Sequence, residues 1–236
     1  HLAGAPLLVH LQGDDGTALV FWAIGGIMLI AAGLNRWVVA ACAAVTAVAA
    51  PFVWQYVLSA YQRQRILGLL NPEAYADGIM YQQLRGRMAV GSGQLFGRGL
   101  FQPGHSFVPR PENDFIFSYF AESCGFIGCV VLLALLFGLL AKTLLAAFRA
   151  PSRVGTYICV GIFAMLLFQI VVNIGMNLML LPVMGITLPF MSAGGTSMAV
   201  LYLAIGILLG VRRQSAPPGL PTAEAPQISK LEGISP

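Results

Sequence analysis

This sequence is short of charge. Of its 236 residues only 9% are charged, while 58% are hydrophobic. A soluble domain usually carries about 25% charged residues, because its surface must stay solvated. This chain lacks the charge to cover a water-facing globule of its length, so lipid must do that job. The basic excess is also small, a formal net charge of +4, which argues against nucleic acid, whose phosphates require dense basic patches. Cysteine is sparse: Cys42, Cys124, Cys129 and Cys159 all lie in apolar stretches, none in a CxxC and none near a His. That pattern argues against zinc ligation and reads as buried thiols.

What is abundant is long apolar runs. A membrane helix needs about 20 mostly apolar residues to cross the hydrocarbon. Leu2 to Leu11 is too short and reads as one end of a span. Thr17 to Leu34, Trp37 to Leu58, Phe115 to Leu145, Thr156 to Leu181 and Leu188 to Val211 supply five more. Hydropathy collapses between Ser59 and Asn113. The expected fold is therefore an all-α, polytopic transmembrane helix bundle with a large loop and a broken helix near the C-terminus. Its expected parts are membrane helices over 1–58, an extracellular loop over 59–113, membrane helices over 114–213 broken at 181–197, and a disordered cytoplasmic tail over 214–236. Arg36, Arg149, Arg153, Arg212 and Arg213 fall in short connections on one side, which the positive-inside rule makes cytoplasmic. The long loop carries Arg63, Arg65, Arg85, Arg87, Arg98 and Arg110, but long loops weigh little in that rule, so it is placed outside.

Four regions could carry chemistry, since ionisable and helix-breaking residues are costly in lipid. Asp14 and Asp15 precede the second helix and read equally well as N-caps or as functional carboxylates. The long loop holds Tyr61-Gln62-Arg63-Gln64-Arg65 and the glycine-rich Gly91 to Gly99; its glycines permit close backbone approach and its arginines could clamp phosphate, although a solvated turn region is the plainer reading. Asp114 follows Pro111 at a helix start, where water gives way to membrane. Partial desolvation there would raise its pKa towards that of a general base, while a helix-start carboxylate favoured by the dipole is the plainer alternative. Glu122 lies about 12 Å deeper at 1.5 Å per residue and needs a partner or a wet cavity. Gln169, Asn173 and Asn177 recur every four residues as one polar stripe, expected to face the bundle interior. Finally, Leu181 to Ser197 places two prolines and three glycines in an apolar run, which an uninterrupted helix cannot accommodate. Broken backbone at membrane depth is tolerated only inside protein or beside a cavity, so this segment is expected to pack against the base of the long loop.

Several motifs stand in one order. Gln12-x-Asp14-x-Gly16-Thr17 resembles Q-P-D-L-G-T; Tyr61 to Leu67 followed by Asn71-Pro72-Glu73 resembles Y-Q-R-Q-R-I-L…D-P-E. Tyr81-Gln82 with Ala89 to Gly93 resembles Y-Q…A-I-G-S-G. Asp114 to Phe117, with Ala121-Glu122 and Gly125 to Gly128, resembles D-F-I-F…A-E-E-x-G-F-I-G. Leu188 to Ser197 resembles L-P-F-I-S-Y-G-G-S-S. Together, from about Leu11 to Arg213, they resemble the SEDS family (shape, elongation, division and sporulation; RodA, FtsW and SpoVE), with the Tyr61 segment leaning to the RodA branch. The departures are Gly13 and Asp15 for Pro and Leu, Arg98 for a frequent Lys, Arg110 for Glu and Ala193 for Tyr. Members usually carry more spans and an upstream P-S-E-x-x-K segment, so the expectation is a C-terminal portion of such a protein.

The resemblance implies a peptidoglycan glycosyltransferase of the bacterial cytoplasmic membrane, polymerising lipid II into undecaprenyl-linked glycan outside the cell during elongation and shape maintenance. It implies Asp114 as catalytic base and a class B penicillin-binding protein as partner. Arg63, Arg65, Arg98, Gln82, Glu122, Ser192, Gly194, Gly195 and Ser197 are the candidate substrate-binding residues, with Asp14 a structural or functional carboxylate. A divalent cation, Mg or Mn, or the arginines would stabilise the departing pyrophosphate. Rival readings are a lipid-precursor flippase or transporter, to which broken helices and an intramembrane polar stripe are equally suited, and a non-catalytic scaffold for a penicillin-binding protein.

Overall fold

The computed structural model describes residues 4–99, 108 and 112–214. The tail expected over 214–236 therefore lies, beyond Gln214, outside the described residues, as does Arg110. Helices α1 (Gly4–Leu11), α2 (Asp15–Ala31) and α3 (Arg36–Phe52) come first, then α4 (Ala60–Leu70) and α5 (Tyr81–Ser92), and finally α6 (Ile116–Phe148), α7 (Arg153–Asn177) and α8 (Gly195–Gln214). Among the described residues there is no strand. Among the described residues four stretches are long and apolar enough to cross a membrane: Trp37–Val57, Ile116–Phe148, Arg153–Asn177 and Gly195–Gln214; α2 is apolar but only 17 residues long.

The helix ends have local causes. Asp14 caps α2, its carboxylate accepting the Thr17 N–H at 3.0 Å, so the helix begins two residues before Thr17. Asn35 caps α3 and Ser152 caps α7 through their side chains. Ser59 and Gln62 open α4 with a reciprocal capping box, each side chain bonded to the other's backbone N–H. Pro51 lies inside α3, where it removes a backbone donor, and the helix relaxes into a π turn over Val53–Val57. Cys42 is exposed on α3, not buried, while Cys129 and Cys159 are buried.

The core lies between α6, α7 and α8, where Leu132, Leu136, Leu140, Leu166, Ile170, Leu201 and Leu208 interlock, with Ile27 and Met28 of α2 packed on their edge. Two expectations need correction. The stretch read as a solvated loop contains two helices, α4 and α5, because tertiary contacts override its weak apolar periodicity. The single span expected from Phe115 to Leu145 is interrupted: Gly125 adopts φ 67° and ψ −169°. There the backbone of residues 94–99 meets the helix. Phe126 and Ile127 donate to the carbonyls of Gln94 and Leu95, while Arg98 and Gly99 donate to those of Glu122 and Ser123. A 33-residue helix would measure about 50 Å, far more than the bilayer core of about 30 Å. Residues 126–148 alone cover about 34 Å, and the preceding two turns stay with the loop.

Between α7 and α8 the chain is irregular, as its Pro and Gly content predicts. Gly185, Met179 and Phe190 take positive φ, and α8 begins at Gly195, two turns later than the apolar run that starts at Leu188. This segment packs on the 59–113 region: Gln83, fully buried, donates to the carbonyls of Met176 and Leu181 at 2.9 and 2.8 Å, and Val183 packs on Ala89, Val108 and Phe115.

Candidate functional site

Asp114 occupies the turn 112–115, just before α6, with its side chain half-buried. Its main chain is pinned from two sides. Asn173 and Asn177, both fully buried on α7, donate to the Asp114 carbonyl at 2.9 and 3.0 Å. Asn173 also donates to the Ile186 carbonyl, and Asn177 accepts from Ser118 Oγ at 2.6 Å. The polar stripe thus faces inward and splices the start of α6 to the irregular segment. Beside it, Ser192 Oγ donates to the Asn113 carbonyl at 2.6 Å and accepts the Leu188 N–H, while the Ala193 N–H donates to the Glu112 carbonyl. Ser192 is therefore buried in a structural tie. The Asp114 carboxylate lies against Gly185, where a Cβ would approach its Oδ2 to 3.9 Å. Burial raises the carboxyl above its ordinary value of 3.8.

Beside the Val183–Gly185 stretch lie two cavities that share Tyr61, Arg65 and Val183 in their walls. The first, about 380 Å³, is lined by Asp14, Asp15, Ser59, Gln62 and Arg65 on its polar side and by Leu19, Leu58, Ile66, Pro182 and Met184 on its apolar side. Gly16 lets α2 reach this wall, for a Cβ there would fall on the Met184 carbonyl oxygen. Within it Asp15 accepts from Gln62 and pairs with His10 at 2.6 Å. The second, about 420 Å³, is lined by Tyr61, Gln64, Arg65, Gly78, Ile79, Gln82 and Val183. Arg65 stands between them, donating to the Val183 carbonyl and the Tyr61 hydroxyl, each at 2.6 Å, with its guanidinium 4.4 Å from the Tyr61 ring centre.

The other candidates are dispersed. Arg63 donates to the Leu58 carbonyl at 3.1 Å and lines neither cavity. Arg98 stands 3.6 Å from the buried Glu122 carboxylate, which also accepts from Ser92 Oγ at 3.2 Å. This pair gives Glu122 the partner it needs, eight residues beyond Asp114 at the Gly125 break. Gly194 accepts from Ser197 Oγ, and Gly195 opens α8, so these three form a helix entrance. Asp14 is an N-cap that also lines the first cavity. Among the described residues no three His, Cys, Asp or Glu side chains gather closely enough to hold a metal ion. Sequence reasoning missed Gln83, whose amide locks the irregular segment; a glutamine in a polar stretch carries no signal of burial.

A family model described as a cell cycle protein, FtsW/RodA/SpoVE, matches residues 2–216. The peptidoglycan glycosyltransferase MrdB of Escherichia coli strain K12 is 35% identical over 208 residues, covering 87% of this chain and 56% of that protein. Stage V sporulation protein E of Bacillus subtilis strain 168 is 38% identical over 213 residues, covering 89% of this chain and 57% of that protein. A solved structure, described as the structural coordination of polymerization and crosslinking by a peptidoglycan synthase complex, superposes with a TM-score of 0.78 at 30% identity, over 92% of this chain and 60% of that one. The chain thus spans a little over half the length of the curated relatives it matches. The apolar helices make it a multi-pass membrane protein, and by both motif order and fold it belongs to the FtsW/RodA/SpoVE family.

Proposed function

We propose that the chain carries the reaction centre of a peptidoglycan glycosyltransferase that polymerises lipid II. The observation that supports this best is the placement of Asp114: a half-buried carboxylate outside the membrane helix, its backbone pinned by Asn173 and Asn177, beside a segment that an arginine grips two residues away at Val183. In the reaction a sugar hydroxyl attacks an anomeric carbon. A new C–O bond forms, the hydroxyl proton passes to the Asp114 carboxylate, and the old C–O bond breaks with its electrons on a polyprenyl pyrophosphate. A carboxylate whose pKa is raised by burial is a stronger base once ionised. An arginine stabilises the departing charge with a planar fork of donors. Residues 59–113 stand on the outer side of the cytoplasmic membrane, opposite Arg149, Arg153, Arg212 and Arg213, and a class B penicillin-binding protein cross-links the glycan made there.

The test is lipid II polymerisation by the reconstituted protein beside its Asp114→Asn variant. Asn keeps the size of the side chain and cannot accept the proton, so the rate is expected to fall about 100- to 10,000-fold. A folded variant that polymerises within a few-fold of its parent reduces Asp114 to a helix-start residue.

A further inference from the structure

The three arginines first grouped by sequence differ in how their charge is met. Arg98 faces the Glu122 carboxylate, and Arg63 turns back to the Leu58 carbonyl outside the cavities. Arg65 is half-buried, lines both cavities, and is held by two neutral acceptors, the Val183 carbonyl and the Tyr61 hydroxyl. Among the described residues it forms no ion pair. A cation withdrawn from water without a counter-charge is costly, and an anionic ligand removes that cost.

The two cavities differ in sign. The first presents the Asp14 and Asp15 carboxylates, and Asp15 is already engaged by His10 and Gln62. No carboxylate lines the second, which offers the amides of Gln64 and Gln82 and the Arg65 fork. An oxyanion entering at Arg65 is repelled from the first cavity and accepted by the second, whereas sugar hydroxyls, which donate, suit the carboxylates of the first. We propose that the Gln64–Arg65–Gln82 cavity is the seat of the pyrophosphate of a prenyl-linked substrate, with the hydroxyl-bearing part of that ligand directed towards Asp14 and Asp15. This rests on the glycosyltransferase reading but concerns binding alone.

Binding of farnesyl pyrophosphate to the protein in neutral-lipid nanodiscs, followed by titration calorimetry, tests it. Arg65→Gln is expected to weaken binding about 10- to 100-fold, the range for losing a charged hydrogen-bond partner. Gln82→Ala, at a side chain that bonds to no described residue, keeps the Arg65–Val183 tie and is expected to weaken binding several-fold. Arg149→Gln, beyond the far end of α6, serves as the control and is expected to bind as the parent does. Equal binding by parent and Gln82→Ala, with Arg65→Gln equal or unfolded, overturns the proposal. So does inorganic pyrophosphate binding as tightly as the prenyl form, or phosphatidylglycerol displacing it at equal concentration, because the seat would then serve a free anion or any anionic headgroup. No turnover is involved: farnesyl pyrophosphate held through Arg65 by a protein that polymerises nothing keeps the seat and removes the polymerase reading, and the converse result does the reverse.

Discussion

At the scale of single residues, Asp114 carries the heaviest expectations, and its environment fixes their sign. Burial raises its carboxyl, so the folded chain holds the proton more tightly than the unfolded chain does. Ionisation therefore opposes folding as pH rises past 3.8 and through the raised value, and that cost is absent below 3.8. Asp114→Asn cannot ionise; it is expected to melt no lower than the parent at neutral pH, with any advantage vanishing below about pH 3.8, as thermal denaturation across pH reads. If Asp114 is the base of the proposed polymerisation, the acid limb of its rate is expected above pH 3.8. The position of Asp114 just ahead of α6 was legible in the sequence, because Pro111 cannot sit in a helix interior and an apolar run begins after it. The difference between Arg65 and Arg98 was not. Both lie in the stretch of low hydropathy between Ser59 and Asn113, and only the folded chain brings the Val183 carbonyl to Arg65 and Glu122 to Arg98.

At the scale of elements, side chains from three helices tie down the irregular stretch after α7: Arg65, Gln83 and Asn173 donate to its carbonyls at Val183, Leu181 and Ile186. Asn177 accepts from the backbone N–H and hydroxyl of Ser118 and donates to the carbonyls of Asp114 and Asn173. Asn177→Leu fills similar space and strands those groups, at about 1–3 kcal/mol for each one left unsatisfied. The variant is expected to melt lower in detergent and to lose polymerisation even with Asp114 present. An unchanged melting temperature together with unchanged activity removes the asparagines from the site. The break itself was readable, since two prolines and three glycines cannot continue a membrane helix. Its exact limits were not: Leu188 to Gly194 is as apolar as a span, and its exclusion from α8 depends on Ser192 and Ala193 bonding to residues 112–113.

At the scale of the whole molecule, the proposed placement of residues 59–113 outside the cytoplasm makes a direct prediction. A cysteine introduced as Glu73→Cys is expected to react with an impermeant maleimide in intact cells, and one introduced as Ser152→Cys only after lysis. The opposite pattern inverts the topology and removes the outward-facing site. Composition sufficed to announce a polytopic bundle, because nothing else hides so much apolar surface with so little charge. It could not announce the interruption at Gly125. A lone glycine in an apolar run is ordinary, and the groups that take over the opened hydrogen bonds come from residues 94–99, some thirty positions earlier. Two of those backbone bonds tie the arm that follows α5 to Glu122 and Ser123 before the break, and two tie the same arm to Phe126 and Ile127 beyond it, so the arm bridges the interruption like a splint. Gly93 and Gly97 leave no room for slippage, for a Cβ on either would overlap the Ala121 or Ser123 carbonyl. The protein thus contains a braced joint: one glycine interrupts the helix, and a single arm holds both sides of the interruption together. Gly125→Ala should force that brace off the helix, since the added carbon meets the backbone of Leu95 and Gly97. Hydrogen exchange reads the result, with the Phe126 and Ile127 amides slow in the parent and fast in the variant; equal protection in both means that arm and helix were never joined.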